Sequence, residues 1–531
     1  MKILIIGLDG ATWDVFDDFL LSNHMPNLNG LKTKGYSGIL QSTHPPSTPS
    51  AWTTCITGCQ PYTHGVVGYR DYLFRDNSLR ISTAASCRVP TMWEEFSNQG
   101  YKVASINVPW TYPCRKVNGI VVAGYGMPGL QAQFTYPEDF KDELLEKIPD
   151  YQILAKWEQS KNSDPEQFET NVSRVERSFE QRLETVILVD EKIKPDVMMV
   201  QFHNTDSIQH FVRAYLDKRT RDKYPFERDR FFAMFQKLDG IIGNLLELAS
   251  SDESVVAVVS DHGLCRWLGS VRPNMLLYDW GYLKFQSPVH RFLRRCRRNL
   301  DSWLSKEKST MTIEFKTPVD WKRTKAMVTY PSMNGNVYLN VKGRNRNGCI
   351  QKGEEYDNVI KDLQHRFSDV VNPLTGEPIF SRVVTPQELY NCEKVDAEIV
   401  GDLVLVPKRG YIIHQSTKRK GDRIKLQPED SFPGCHCYEG IYIFHGSNIH
   451  SGGSRQAHIV DIAPTIYALL GAKMPTYLDG KVLEEMFIEK VPLRYQESGA
   501  QVSRQTGGKQ ALSTQEEAEI AKKLSALGYL E

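Results

Sequence analysis

Asp9, Thr48, Asp206, His210, Asp261, His262 and His436 each stand at the end of an apolar run or beside a turn signal. In chain order they read as a run closed by Asp9-Gly10, a Thr48-Pro49 helix start, Asp206-x-x-x-His210, Asp261-His262-Gly263 and Gly434-Cys-His436. Taken singly, each has an ordinary reading as a surface acid, a satisfied core histidine or a turn residue. Taken together, carboxylates and imidazoles at element ends are what is needed to hold divalent cations. Two such cations a few ångströms apart can grip the attacking and leaving oxygens of an in-line phosphoryl displacement.

Thr48 is the candidate nucleophile. It precedes Pro49 in Pro46-Ser47-Thr48-Pro49-Ser50-Ala51-Trp52, with Gly58 ten positions on. That pattern predicts Thr48 as N-cap, proline at the first helical position and glycine past the end. A hydroxyl there faces free N–H groups and the positive end of the helix dipole, which suits an incoming phosphate. Ser47 and Ser50 are the competing hydroxyls. A threonine hydroxyl is a weak nucleophile until activated, and no histidine base is evident for it. A metal ion would activate it, and Asp9, Asp261 and His262 are available at predicted strand ends to hold one. Asp206 and His210 are one helical turn apart, so both can reach a single ion, and His436 could complete its set. Mixed His/Asp ligation suits zinc, with manganese possible.

The elements that must position these residues follow from the hydrophobic pattern. Continuous apolar runs at 3–8, 103–108, 119–123, 197–202 and 255–260 read as buried strands of a parallel sheet. Helical patterns at 174–192 and 231–248 lie between them. Strands alternating with helices predict an α/β fold, and in such sheets ligands bind beyond the carboxyl ends of the strands. Asp9, Asp206 and Asp261 all fall there. The expected catalytic core is 1–286 and 408–495, the latter with a strand at 440–444 and a helix at 459–470 closed by Gly471. Residues 287–407 are expected to form a cap, with a strand near 336–341 and a helix near 356–367. Residues 291–300 carry five arginines with apolar residues at helical spacing, which suits either a solvated insertion or an anion-binding segment. Residues 496–531 are expected to be a polar linker and a short last helix, opened by the capping box Ser513-Thr-Gln-Glu516.

Bulk composition narrows the class. At 531 residues with 40% hydrophobic and 24% charged content, the chain is long enough for a large domain with an insertion. A net charge of +1 gives no general attraction to nucleic-acid polymers, so anion selectivity has to be local. No apolar stretch reaches the roughly 18–20 residues of a membrane span. The ten cysteines form no CxxC pair, which favours reduced thiols and a cytoplasmic setting. Cys435 and Cys437 flank His436, but without usual zinc-finger spacing.

These motifs carry a specific resemblance. Ile-Gly-Leu-Asp9-Gly, Thr57-Gly58 followed by His64-Gly65, Asp261-His262-Gly263 and Asp461-Ile-Ala-Pro-Thr465 are similar to the alkaline phosphatase superfamily. The branch is that of type I phosphodiesterases and nucleotide pyrophosphatases, and the cap is similar to a predicted phosphohydrolase/phosphomutase subgroup. The resemblance implies an alkaline-phosphatase-like, mostly parallel central sheet between helix layers. It also implies that Asp9, Thr48, Asp261 and His262 hold one metal, with Thr48 as nucleophile, and that Asp206, His210 and His436 hold the other. The expected activity is hydrolysis of a small anionic phosphoester, a diester or pyrophosphate rather than a monoester, through a phospho-enzyme. Transfer to an acceptor alcohol on the same site, and a catalytically silent metal-binding scaffold, are the alternatives. One departure stands out. The family's phosphate-binding Asn after the His-Gly is missing from Val66-Val67-Gly68-Tyr69-Arg70, so Asn107 and Asn204 are the candidate replacements. A sulfatase reading fails at Ala51, where that motif requires arginine.

Overall fold

A computed structural model describes residues 1–21, 24–73, 78–158, 164–286, 319–329, 335–414, 416–417, 419–429, 431–496 and 512–526. The arginine-rich residues 291–300 and most of the expected linker lie outside them. The chain divides into two compact units. The first comprises residues 1–66, 83–267 and 429–511; the second comprises 67–82, 268–428 and 512–531. The second unit thus begins earlier and ends later than the 287–407 expected for a cap. It also takes in the hairpin Arg70–Leu73/Ser78–Ile81 and the last helix.

The first unit is built on a nine-stranded sheet. Its strands in chain order are β1 (Ile3–Leu8), β2 (Tyr36–Gln41), β3 (Val103–Ile106), β4 (Gly119–Val122), β5 (Thr135–Tyr136), β6 (Val197–Phe202), β7 (Val255–Val259), β10 (Glu439–Gly446) and β11 (Ala457–His458). The numbers between belong to a separate antiparallel ribbon, β8 (Gly263–Arg266) with β9 (Gly434–Cys437). Across the sheet the order is β11-β2-β10-β7-β1-β6-β3-β4-β5. The centre, β7-β1-β6-β3-β4, is parallel. β10 runs antiparallel to both β2 and β7, so the mostly parallel sheet carries an antiparallel insertion.

All six residues of β1 are buried, as are all six of β6 and all five of β7, which explains their unbroken apolar runs. Successive side chains alternate faces. Ile3, Ile5, Val197, Met199, Val255 and Ala257 enter one core with Trp52, Ile56, Phe96, Ile466 and Phe444. The helices that supply this layer are α1 (Thr48–Thr57), Met92–Asn98 and α5 (Ile462–Leu470), the last closed by Gly471 in the left-handed conformation (φ 67°). Three longer helices are α2 (Pro165–Ile193), which packs on β3 and β6, α3 (Asn204–Leu216), and α4 (Pro225–Leu248), which packs on α2.

The second unit has its own four-stranded antiparallel sheet of Ala326–Val328, Gly335–Leu339, Leu403–Pro407 and Phe380–Val384, in that order. The helix Glu354–Ser368 buries Val359, Ile360, Leu363 and Phe367 against it. Its last helix, Thr514–Ala526, opens on the expected capping box. Ser513 N–H donates to Glu516 Oε2 at 2.8 Å and Glu516 N–H to Ser513 Oγ at 3.2 Å.

Because Phe444 lies fully buried in the middle of β10, where the antiparallel strand joins the parallel centre, its removal should be felt by the whole unit. Phe444→Ala is expected to lower unfolding free energy by about 3–5 kcal/mol. Urea unfolding followed by tryptophan fluorescence measures this; a loss below about 1 kcal/mol would mean the β10 core repacks at little cost.

Candidate metal and nucleophile site

The seven predicted residues all belong to the first unit, and its strand ends bring them into two groups. Asp9, Asp261 and His262 form one, and Asp206, His210 and His436 the other; within each, the potential ligand atoms lie within 4.8 Å of one another. His262 and His436 stack with ring centroids 3.7 Å apart, so the two groups adjoin.

Asp9 is the residue after β1. It is followed by Gly10 at φ 64°, where a Cβ would meet Leu264 Cδ1 at 2.3 Å and Asp206 Oδ1 at 2.8 Å. Only glycine allows the chain to turn there with Asp206 packed against it. Gly10 N–H donates to Asp261 Oδ1 at 3.1 Å, and Thr205 Oγ1 donates to the Asp9 carbonyl at 2.6 Å. Asp206 and His210 sit on α3, whose first turn begins two residues after β6. His436 lies on β9 opposite Leu264 of β8, two residues beyond His262. The ribbon therefore carries His436 to the end of the sheet where His262 leaves β7.

All three imidazoles are oriented the same way. His210 Nδ1 donates to the Gly434 carbonyl at 3.1 Å, His436 Nδ1 to the Pro46 carbonyl at 3.0 Å and His262 Nδ1 to the Gly263 carbonyl at 3.3 Å. A carbonyl only accepts, so each Nδ1 carries the proton and each Nε2 presents a bare lone pair. His210 Nε2 and His436 Nε2 face each other at 3.0 Å. Both lie near Asp206 Oδ1, at 3.4 and 3.5 Å. In the other group His262 Nε2 is 3.1 Å from Asp261 Oδ2 and 3.8 Å from Asp9 Oδ1. Asp9 Oδ1, Asp261 Oδ2 and both carboxylate oxygens of Asp206 are buried without an aligned hydrogen-bond partner. Facing lone pairs and orphaned carboxylate oxygens are an acceptor-only lining, and a cation is the group that satisfies it.

The electrostatics show how strongly the buried carboxylates call for positive charge: burial disfavours the charged forms of His210 and His262, yet Asp206 beside the first and Asp261 beside the second raise both above the ordinary imidazole range. Burial, then the neighbouring Asp261 and Asp206 charges, push the Asp9 carboxyl well above its ordinary range. Burial acts the same way on Asp206, but His210 and His436 overcome it and hold that carboxyl below the ordinary range. Burial, with His262 beside it, disfavours the charged form of His436.

Thr48 is placed one step differently from the sequence expectation. Ala51 N–H donates to the Ser47 carbonyl at 2.8 Å, so Ser47 is the N-cap, Thr48 the first helical residue and Pro49 the second. The Thr48 hydroxyl is therefore not spent on capping. It is fully buried and lies 3.5 Å from His262 Nε2, while the Pro46 carbonyl two residues earlier accepts from His436. Ser50 Oγ accepts from Thr43 Oγ1 at 3.4 Å, and Ser47 Oγ is buried without a partner.

The hydrogen bonds of the two asparagines go to residues outside both groups. The Asn204 amide is used up by the fold: Oδ1 accepts from Ala155 N–H and Ser178 Oγ, and Nδ2 donates to the Ala155 carbonyl and Ser207 Oγ. Asn107, at φ 58° after β3, accepts from the Tyr151 hydroxyl at 2.7 Å. His64, in the His64-Gly65 motif, is a core residue: its Nδ1 accepts from Val66 N–H, its Nε2 meets Thr54 Oγ1, and burial lowers its pKa to about 3. Among the described residues no cysteine joins a candidate metal group. Cys265 and Cys435 instead face each other across the ribbon, on alternate positions to Leu264 and His436, with sulfurs 3.7 Å apart. Sequence reasoning missed Trp52, Gln201 and His203, all of which bond to Asp9. A helix-face tryptophan and a polar residue inside an apolar strand carry no local mark of such a role; His203, three residues before Asp206, was the available hint.

Residues 3–436 match the family described as type I phosphodiesterase / nucleotide pyrophosphatase. The chain belongs to that family. It is accordingly a phosphoester hydrolase of phosphodiesterase type, from a metal-dependent family, with two candidate metal-binding groups. Its fold is similar to that of phosphonoacetate hydrolase from Sinorhizobium meliloti 1021, at 15% identity and a TM-score of 0.55, over 89% of this chain and 95% of that one. It is also similar to human ectonucleotide pyrophosphatase / phosphodiesterase 5, at 15% identity and a TM-score of 0.51, over 92% of this chain and all of that one. These likenesses show a shared fold, a large mostly parallel sheet flanked by helices. No curated relative matches the chain by sequence.

If Asn204 serves the fold, Asn204→Ala should cost stability and leave substrate affinity alone. About 1–3 kcal/mol is expected for the buried groups left unpaired. Thermal unfolding reads the first effect and KM for an aryl phosphodiester the second; an unchanged melting temperature with a raised KM would return Asn204 to the substrate site.

Proposed function

We propose that the chain is a two-metal phosphodiesterase in which Thr48 is the nucleophile and forms a phospho-enzyme. The observation that carries the reading is the placement of the Thr48 hydroxyl. It stands at the start of α1, uncommitted to capping, 3.5 Å from a bare imidazole nitrogen of one His/Asp group. The segment that bears it is tied through Pro46 to His436 of the other.

Asp9, Asp261 and His262, with the Thr48 oxygen, would hold one divalent cation, and Asp206, His210 and His436 the second; zinc suits the donors, and manganese is the alternative. Bound there, the cations would supply the charge that eases loss of the Thr48 proton and offsets the phosphoryl oxygens. The remaining steps belong to the protein. Thr48 Oγ1 gives its proton to water and attacks phosphorus, the P–O bond to the leaving group breaks in line, and the leaving oxygen takes that proton up from water. Water then attacks the phosphothreonine, restoring the hydroxyl and releasing the phosphate product. The start of α1, with its unpaired N–H groups and dipole, stabilises the phosphoryl oxygens during both displacements. The acceptor-only lining rejects additional anions unless the cations are present, which makes activity conditional on metal. Family membership supports a small phosphoester as substrate, and a diester or pyrophosphate is the preferred class.

Thr48→Ala is expected to lower kcat by at least about three orders of magnitude while the fold and most metal binding persist. Near-normal turnover in that variant, with Ser47→Ala or Ser50→Ala inactive instead, would assign the wrong hydroxyl here. Aryl phosphodiesters should also be cleaved faster than the matching monoesters. A monoester preference of about tenfold in kcat/KM, equivalent to about 1.4 kcal/mol in the transition state, would reverse the substrate class.

A further inference from the structure

The two oxygens of Asp9 have opposite surroundings. Oδ1 is buried with no aligned partner. Oδ2 takes three hydrogen bonds, from Trp52 Nε1 at 2.9 Å, Gln201 Nε2 at 2.6 Å and His203 Nδ1 at 2.9 Å. Trp52 and Gln201 are fully buried and His203 is 5% exposed, so water does not substitute for any of the three. The donors come from different directions: Trp52 from α1, Gln201 from inside β6, and His203 from the turn that leads into α3. The His203 ring is itself held, stacked on Tyr125 with centroids 4.5 Å apart and planes 18° from parallel.

We propose that His203 is a positioning residue which, with Trp52 and Gln201, pins Asp9 to single-oxygen ligation and so sets the cation affinity of the Asp9, Asp261 and His262 group. The inference rests on the metal reading above. A carboxylate oxygen that already accepts three hydrogen bonds has no lone pair left for a metal, so a two-oxygen grip is closed to Asp9. The bare Oδ1 is then aimed by the fixed Oδ2, and its direction does not have to be found at each binding event. Single-oxygen contacts of about 2.0–2.2 Å are the habit of zinc, whereas calcium takes carboxylates in two-oxygen fashion at longer range. The arrangement therefore favours a small cation. Two more buried carboxylates, Asp206 and Asp261, border Asp9. Three donors on Oδ2 offset that crowding of negative charge without occupying the ligand oxygen. Partners of this kind, one shell out from a metal, typically shift affinity by about 10–100-fold.

Two substitutions at position 203 separate the donor from the packing. His203→Phe keeps a ring against Tyr125 and removes the N–H. His203→Asn loses the ring but places an amide N–H where Nδ1 stands. Zinc alone is the probe, titrated against a chelator of known affinity to give two binding constants, with His436→Ala used to assign them. For His203→Phe the first-group dissociation constant should rise about 10–100-fold while the second-group constant is unchanged. His203→Asn should recover most of the loss. Should His203→Phe unfold, Gln201→Met removes a different donor from the same oxygen and should show the same selective loss. Equal weakening of both groups, no weakening of the first, or an Asn variant no better than Phe would each overturn the inference while leaving the metal reading in place. A wild-type protein that binds no zinc would overturn both.

Discussion

The constraint on which the site depends is the burial of negative charge. Asp9, Asp206 and Asp261 are almost wholly removed from solvent, and four of their oxygens have no aligned hydrogen-bond partner. Leaving ionised carboxylates in that state is costly unless something positive stands among them. Neutral imidazoles cannot supply it, because each Nδ1–H is committed to a backbone carbonyl and only a lone pair faces inward. A proton gained at Nε2, which Asp206 favours at His210 and Asp261 at His262, or a bound cation is what would. Local choices that look unrelated, such as Gly10 at positive φ and the antiparallel ribbon behind His436, exist to hold this acceptor-only lining together. The family to which the chain belongs gives that lining its natural occupant.

The same constraint explains why the Thr48 hydroxyl, the proposed nucleophile, sits where it does. A helix start that caps itself through the Ser47 position frees the Thr48 hydroxyl. The helix is anchored on both sides of that point: Trp52 reaches Asp9 with its indole N–H, and the Pro46 carbonyl accepts from His436. α1 and the Pro46 carbonyl just before it therefore bond between them to a member of each His/Asp group, so the start of the helix has little freedom to move away from either. In the proposed chemistry, positioning of this sort acts through fixed distances and dipoles rather than through a general base. It also ties catalysis to fold stability, since Trp52 is a core residue as well as an Asp9 donor.

Much of this was legible in the amino-acid order. Buried parallel strands must be apolar throughout, so β1, β6 and β7 stood out as runs, and residues that leave the sheet at their ends are few and conspicuous. The ligand candidates were readable for that reason. The antiparallel strands were less so, since the short ribbon β8/β9 owes its existence to pairing across a gap of about 170 residues that no local pattern records. Thr48 was assigned correctly as the helix-start hydroxyl but one position late as a cap, because the residue before a proline is normally kept out of the helical region. The hydrogen bonding of Asn204 is a purely tertiary fact: its amide faces the 155 and 178 positions, which sequence spacing cannot reveal. The same limit hid the three donors on Asp9.

The proposed chemistry requires cations bound by the two His/Asp groups. The most direct measurement is anomalous diffraction from crystals grown with Zn²⁺, with data collected on either side of the zinc absorption edge. Two peaks are expected, one within about 2.0–2.2 Å of Asp9 Oδ1, Asp261 Oδ2 and His262 Nε2, and one at similar distances from Asp206, His210 Nε2 and His436 Nε2. A map with no peak in either group at saturating zinc, or with zinc held by other residues, would contradict the proposed chemistry.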